Sequence, residues 1–285
     1  MTRVGIAVHR FRPDALEVAR QVANWSVQHG LVTVVDEADV AAVDSPHVLA
    51  GDTGDVDVMV SIGGDGTMLR AVRTLAGRQV PIIGVNLGTL GYLAAVEADF
   101  VLSALDAWRV GVEGKDFYFD DRMLLEVAMW SNGARLANVL ALNEVVIEKR
   151  ETGHTVHLGV DIDKAPFTTY AADGLIIATP TGSTAYSMSA RGPILSPRLR
   201  AMLLTPVSPH MLFDRSMVLD GGEVIRVEAL GHRSINVATD GDLVHTLRPG
   251  DVIEVRAAVE VARFMRFEER RFHQILKSKF GLSDR

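Results

Sequence analysis

The sequence predicts an α/β domain with a parallel sheet, then an all-β, sandwich-like domain, and a C-terminal helix that returns to the first domain. Three observations lead there. Over the first third, short apolar runs alternate with helical spacings, the rhythm of a parallel sheet covered by helices. Beyond about Gly114, short strand candidates follow one another across Gly, Asp and Pro turns. At the end, Phe272, Ile275, Leu276 and Phe280 resume a helical spacing within Phe267–Phe280.

Val4–Val8 is a short apolar run of the kind a buried parallel strand needs. Pro13 then opens a helix with Leu16, Ala19, Ala23 and Val27 on one face, stopped by Gly30. Leu31–Val35 reads as a second strand. The acidic stretch from Asp36 to Asp55 reads as loop plus a poor helix. Val56–Ile62 is a strand ending in a glycine-rich turn, Thr67–Leu75 has helical spacing through Leu69, Val72 and Leu75, and Val80–Val85 is a further buried strand. In the second part Val156, Leu158, Val160 and Ile162 alternate as a half-buried strand does. Further strand candidates are Leu124–Trp130, Leu142–Glu148, Leu175–Thr179, Val224–Ala229, Ser234–Ala238 and Val252–Arg256.

Composition narrows the function. With 48% hydrophobic residues in 285, the chain can bury a sizeable core. A net charge of −7 argues against a nucleic-acid partner. The absence of cysteine excludes disulfides and thiolate metal sites. No apolar run approaches the ~18 residues of a membrane helix, and Met1 leads into a strand rather than a signal peptide. A soluble, cytoplasmic protein without a membrane partner is expected.

Three clusters carry chemistry. Gly63-Gly64-Asp65-Gly66-Thr67 sits between a buried strand and a helix, where open α/β sheets bind ligands. Glycines let backbone N–H groups approach a phosphate, and a helix start favours negative charge. Neither a Walker A loop nor G-x-G-x-x-G occurs anywhere in the chain. A carboxylate repels phosphate, so Asp65 makes sense if it accepts a proton from an attacking hydroxyl. The bland reading is a tight turn in which Asp65 caps the helix. The second cluster, Asp173 to Ser187, delivers hydroxyls and the ring of Tyr186, which suit a ribose or an adenine; an ordinary polar turn would look the same. The third, Asn143-Glu144, lies between apolar runs and can bind a diol, or be a polar strand edge.

Together and in this order, these clusters resemble the NAD kinase family. The likeness continues through Met68-Leu69-Arg70-Ala71, Pro81 to Leu93, Gly192-Pro193-Ile194, Thr205 to His210 and Asp240-Gly241, and spans about Val56 to Gly241. It implies an enzyme that transfers the γ-phosphoryl of ATP, with polyphosphate as an alternative donor, to the 2′-hydroxyl of the adenosine ribose of NAD. Asp65 looks like the catalytic aspartate. The nucleotide and substrate contacts it implies are Gly63, Gly64, Gly66, Thr67, Arg70, Asn143, Glu144, His154, Asp173, Thr184, Ala185, Tyr186, Ser187, Ser189 and Asp242. No protein metal ligand is implied; Mg²⁺ or another divalent cation arrives with ATP. A homodimer or homotetramer is implied as well. The expected division is a nucleotide-binding domain over 1–113, a dinucleotide-binding domain over 114–262, and a segment over 263–285 packing on the first. Competing assignments are a lipid or sugar-phosphate kinase sharing the Gly-Gly-Asp-Gly-Thr core, and a non-catalytic NAD(P)-binding sensor. Arg191 stands where the pattern has glycine, Asp242 where many relatives have glutamine, and Ser216 where proline is usual.

Overall fold

A computed structural model of the chain describes residues 1–88, 91–94, 96–268 and 271–282. Thr89 and Leu90 of the Pro81–Leu93 run, and residues 269–270 and 283–285 of the expected C-terminal segment, lie outside them. Two compact units form, Met1–Asp121 with Ala262–Arg285, and Arg122–Val261.

The first unit contains β1 (Arg3–Val8), α1 (Pro13–Gln28), β2 (Val32–Val35), α2 (Glu37–Val43), β3 (Val48–Ala50), β4 (Val58–Ile62), α3 (Asp65–Leu75), β5 (Ile82–Asn86), β6 (Val96–Glu97) and α4 (Val101–Val110). Pro13 starts α1 because its fixed φ suits a first helical turn and its missing N–H is not needed there. The helix turns Ala15, Val18, Ala19, Val22, Ala23 and Ser26 inward, while Val27 is exposed. Of the expected Leu16–Ala19–Ala23–Val27 stripe, Ala19 and Ala23 are buried, Leu16 packs half-buried against the core, and only Val27 faces solvent. The acidic Asp36–Asp55 stretch holds α2 and β3; the Asp36 carboxylate accepts from the Ala38 N–H at 2.9 Å, capping α2. Helix α4, unforeseen from the sequence, buries only Val101, Ala104 and Leu105.

All pairings of this sheet are parallel, in the order β5-β4-β1-β2-β3, with β6 beside β5. The chain builds outward from β1 through β2 and β3, then restarts on the opposite side of β1 with β4 and β5. Strand order therefore reverses between β1 and β4. At such a reversal the connections leave in opposite directions and open a crevice at the carboxyl ends of the strands. His9–Phe11 and Gly63–Thr67 follow those two ends, and the His9 N–H donates to Ile62 O at 3.0 Å.

The remaining elements are β7 (Tyr118–Ser131), β8 (Ala134–Ala141), β9 (Glu144–Lys149), β10 (Val156–Ile162), β11 (Ala165–Ala172), β12 (Gly174–Ala178), α5 (Tyr186–Ser189), β13 (Ala201–Val207), β14 (Met217–Asp220), β15 (Ile225–Leu230), β16 (Ile235–Thr239), β17 (Asp242–Leu247), β18 (Val252–Arg266) and α6 (Phe272–Phe280). In the second unit one sheet runs β11-β10-β15-β18, with β7 beside β18 and β8 beside β7; the other runs β14-β13-β12-β9-β16-β17. Alternate residues of both sheets meet in one core, including Leu125, Val127 and Met129 of β7 and Leu175 and Ile177 of β12. This is the expected sandwich. Three hairpins within it turn on pairs with positive φ, Asn132-Gly133, Asp163-Lys164 and Asp240-Gly241, which match the twist of the strands they join.

Strands β7 and β18 extend well beyond Leu124–Trp130 and Val252–Arg256. Their charged ends stay in the sheet because the charges are matched. Arg263 makes two 2.8 Å bonds to Asp121, and Arg266 Nε lies 3.1 Å from Asp120 Oδ2. Helix α6 belongs to the first unit, and its Lys279 ammonium stands 5.4 Å from the Tyr92 ring centroid.

Candidate active site

The expected site residues fall into two groups, one in each unit. In the first, buried β4 ends at Ile62 and the chain turns sharply into α3. Gly63 has φ +155°, and a Cβ there would run into the buried Thr67 hydroxyl, so only glycine fits this turn. Gly64 and Gly66 are exposed and Asp65 is half-buried between them as the first residue of α3. Asp65 does not cap its own helix. Its Oδ2 accepts from the Tyr92 N–H at 3.2 Å and its Oδ1 from the Leu93 N–H at 3.3 Å. A Cβ on Gly91 would collide with that carboxylate, so Gly91 leaves the space in which it lies. A carboxylate has about four acceptor positions, so two backbone donors orient Asp65 and leave capacity for a ligand. The Tyr92 phenol is pushed above its ordinary pKa by partial burial and then by the Asp65 charge.

A cavity of about 470 Å³ opens at the strand-order reversal, lined among others by His9, Arg10, Gly64, Gly66, Thr67 and Arg70. Exposed glycine backbone at a helix start, with two guanidiniums, makes a lining suited to an anion. Arg70 is anchored as well, donating to Val8 O at 2.6 Å.

In the second unit β9, β12 and β16 are neighbours, and antiparallel pairing puts Glu144 opposite Ala178 and Val145 opposite Thr239. The start of β9 thus meets the turns that follow β12 and β16. The Asp240 carboxylate ties them together, accepting the N–H groups of Leu142 (2.8 Å), Asn143 (2.7 Å) and Glu144 (3.2 Å). Thr179 Oγ1 donates to Leu142 O at 2.6 Å and accepts from the Gly182 N–H at 3.0 Å. Gly182 lies so close to the Asn143 backbone that a Cβ would clash with its carbonyl.

The period of two sends Val145 and Ile147 into the main core and Glu144, Val146 and Glu148 to the other face. There the 182–195 loop folds over the sheet, with Ala190 and Leu195 packed on Val146 and Ile176. Glu144 is 6% exposed, and its Oε2 is buried without a hydrogen-bond partner. Burial first, then the charge of Asp240, raises its pKa to about 7; the Tyr186 backbone N–H opposes them. The Tyr186 phenol is raised by burial and by Glu148, Asp173 and Glu144, so it stands amid three acidic groups. Asp173 is paired with Lys149 at 2.5 Å. Ser187 is buried against Thr205, Oγ to Oγ1 at 3.2 Å, and Thr184 bonds Thr181 O at 3.2 Å.

Models of the ATP-NAD kinase N-terminal domain and C-terminal domain match residues 4–109 and 142–267. An NAD kinase of Syntrophotalea carbinolica is 37% identical over 289 residues, all of both chains. One from Heliobacterium modesticaldum is 38% identical over 283 residues, 98% of each chain. The chain belongs to the NAD kinase family. Yeast NADH kinase complexed with NADH shares its fold at a TM-score of 0.89 and 25% identity, over 100% of this chain and 89% of that one. An Archaeoglobus fulgidus NAD kinase in complex with ATP shares the fold at 0.74 and 22% identity, over 99% and 100%.

Within this member of the NAD kinase family, the first unit gathers Gly63, Gly64, Gly66, Thr67 and Arg70 around one cavity edge with Asp65 beside them. The second gathers Asn143, Glu144, Asp173, Thr184, Ala185, Tyr186 and Ser187. His154 is exposed in the 150–155 connection, and no hydrogen bond or ion pair among the described residues ties it to Glu144 or Tyr186. Ser189 and Asp242 are exposed, Asp242 directly after the Asp240-Gly241 turn. Arg191 adopts φ +67°, a conformation natural to glycine, and its side chain is exposed. Sequence reasoning passed over His9 and Arg10, and took Asp240 only as part of the Asp240-Gly241 motif. The first two follow the first strand of a parallel sheet, a position that itself signals a ligand edge.

Asp240→Ala should destabilise the protein by about 3 kcal/mol, since three charge-assisted bonds are lost together, and should weaken NAD binding. Asp240→Asn, keeping the shape without the charge, should do about half as much. Urea melts with NAD titration measure both, and a parent-like Asp240→Ala protein would remove the residue from this role. For Glu144 the folded pKa is about 7 against an ordinary 4.5, so the folded state holds the extra proton between them. The stability from protonated Glu144 is present at low pH and is lost as pH rises through about 7. Glu144→Gln should therefore exceed the parent by up to about 3 kcal/mol at pH 8, with the gap closing toward pH 4. Urea melts at those two pH values decide it; an equal gap at both would refute the titration.

Proposed function

We propose that the chain transfers the γ-phosphoryl of ATP to the 2′-hydroxyl of the adenosine ribose of NAD, with Asp65 accepting the hydroxyl proton. The bond from Pγ to the β–γ bridging oxygen breaks, the O2′–Pγ bond forms, and ADP and NADP leave. The observation that carries this reading is the Asp65 carboxylate, held by two backbone N–H groups instead of capping its helix, beside a cavity lined with arginines and exposed glycines. A residue serving only the turn would cap α3. Much of its contribution is alignment, because phosphoryl transfer demands positioning and charge neutralisation more than covalent help.

The first unit's group takes the donor phosphates, through Gly64, Gly66, Thr67 and Arg70. The second unit's group takes the dinucleotide. Glu144, with a buried oxygen open to a donor, suits a ribose hydroxyl; Asn143 adds an amide, and Tyr186 a flat apolar face. Thr184, Ala185, Ser187 and Ser189 shape that loop; roles for His154, Asp173 and Asp242 are part of the same proposal. Among the described residues, the lining of the donor cavity holds cations and no carboxylate. It does not form a cage for a divalent cation, so Mg²⁺ would enter bound to the donor's phosphates and to water.

Polyphosphate is the alternative donor. A homodimer or homotetramer and a cytoplasmic place belong to the same reading. Leu212, fully exposed beside Phe213, is apolar surface of the kind that assembly covers. Among the described residues no helix is long and apolar enough to cross a membrane.

The deciding experiment follows NADP formation from ATP, Mg²⁺ and NAD. Asp65→Asn should lower kcat at least ~100-fold while NAD still binds, as loss of a general base does. Near-normal turnover would remove Asp65 from the role.

A further inference from the structure

Asp39 lies on α2, away from every motif of the resemblance, and its carboxylate is 1% exposed. A buried carboxylate without compensation is strongly disfavoured, so it persists only where cations meet it. Two do. Arg10 Nε lies 3.1 Å from Oδ1, and Arg70 Nη2 lies 3.0 Å from Oδ2. Both guanidiniums are partly exposed, at 37% and 29% of their side chains, and both line the 470 Å³ cavity with Gly64 and Gly66. One carboxylate thus draws together two cations that would otherwise repel each other.

Neither contact is a well-directed hydrogen bond, since both oxygens of Asp39 lack one. Coulomb attraction to Asp39 holds both arginines close, and Arg70 Nη2 is fixed further by its bond to Val8 O at 2.6 Å. Arg10 meets Asp39 through Nε, which leaves its two terminal nitrogens to a ligand. Within this trio, one negative charge against two positive ones leaves an excess of one positive charge.

We propose that Asp39 is a positioning residue for the phosphate donor, setting Arg10 and Arg70 as a two-armed clamp on the donor's polyphosphate chain. The inference rests on the donor assignment above and adds residues that it does not contain. A guanidinium pair spaced by a shared carboxylate suits a chain of linked phosphates, because each planar fork can take two oxygens. A lone lysine would supply only a point charge.

The test measures steady-state kinetics of the full chain against ATP and NAD separately, with inorganic tripolyphosphate as a competitor of ATP. Arg10→Ala should raise the KM for ATP about tenfold and weaken tripolyphosphate inhibition by a similar factor. The KM for NAD should stay within about threefold, which confines the loss to the donor side. Asp39→Asn, isosteric but uncharged, should also raise the KM for ATP, about fivefold. A mere counter-charge predicts the opposite sign, because removing a carboxylate beside an anion site tightens anion binding. A KM for ATP that falls or stays unchanged in Asp39→Asn therefore overturns the positioning role. If Asp39→Asn does not fold, the partly exposed Arg10 decides the matter: Arg10→Ala with a parent-like KM for ATP and parent-like tripolyphosphate inhibition overturns the clamp. Arg10→Lys should recover only part of the loss. Failure of the clamp leaves NADP formation and its dependence on Asp65 intact, whereas failure of the donor assignment abolishes the first or leaves Asp65→Asn active.

Discussion

Strand β1 lies between β2 and β4, paired in parallel with both, and the chemistry of the first unit depends on that placement. Parallel pairing brings both carboxyl ends to the same edge, and the reversed order sends the following segments apart. One segment carries His9 and Arg10; the other is the glycine turn into α3. Neither is a binding device alone. The turn supplies backbone N–H groups and a helix start, while the β1 end supplies charge. The strictness of the turn follows from packing: Gly63 has no room for a Cβ against Thr67, and Gly91 none against Asp65. The orientation of Asp65 thus goes with two close approaches, one at Gly63 and one at Gly91, where a side chain would displace its neighbour.

In the second unit an antiparallel sheet achieves a comparable convergence by different means. The turn after β16, the turn before β9 and the loop after β12 meet because their strands are neighbours, and Asp240 binds the meeting point through three backbone N–H groups. Its φ of +48° belongs to the hairpin it opens, so one residue serves the turn and the site. The 182–195 loop then covers a small apolar patch on the outer face of the sheet, and its Tyr186 backbone N–H reaches the Glu144 carboxyl.

How much was legible in the sequence can be read from where each signal lives. Buried strands such as Val4–Val8 and alternating ones such as Val156–Ile162 announce themselves because one period dominates each. The charged ends of β7 and β18 do not, since Asp120, Asp121, Arg263 and Arg266 read as loop until they are seen paired across about 140 residues of chain. Strand β8 follows an Asn132-Gly133 turn, a local hairpin signal that sequence reasoning overlooked. At the candidate site, the glycine turn and Asn143-Glu144 are contiguous and so readable as short motifs. Asp39 and Asp240 each act on segments remote in sequence, and no local pattern shows which partners a carboxylate will meet. Arg191 shows the reverse: its departure from glycine was visible at once, and the structure supplies the positive φ that makes glycine the expected residue.

The carboxylates also differ in a way that separates scaffold from chemistry. Asp240 receives three backbone donors, and Asp65 receives two at longer distance. Glu144 keeps one oxygen buried and unpartnered, and Asp39 meets charge without directed hydrogen bonds. A fully satisfied carboxylate gains little from a ligand and is suited to holding structure. One left short of donors gains on meeting a hydroxyl, or on having its cations fixed by a bound anion. The desolvation left uncompensated in the free protein is then recovered on binding. By this measure Asp240 builds, Asp65 orients with capacity to spare, and Glu144 and Asp39 mark where the acceptor and the donor would complete the hydrogen bonding.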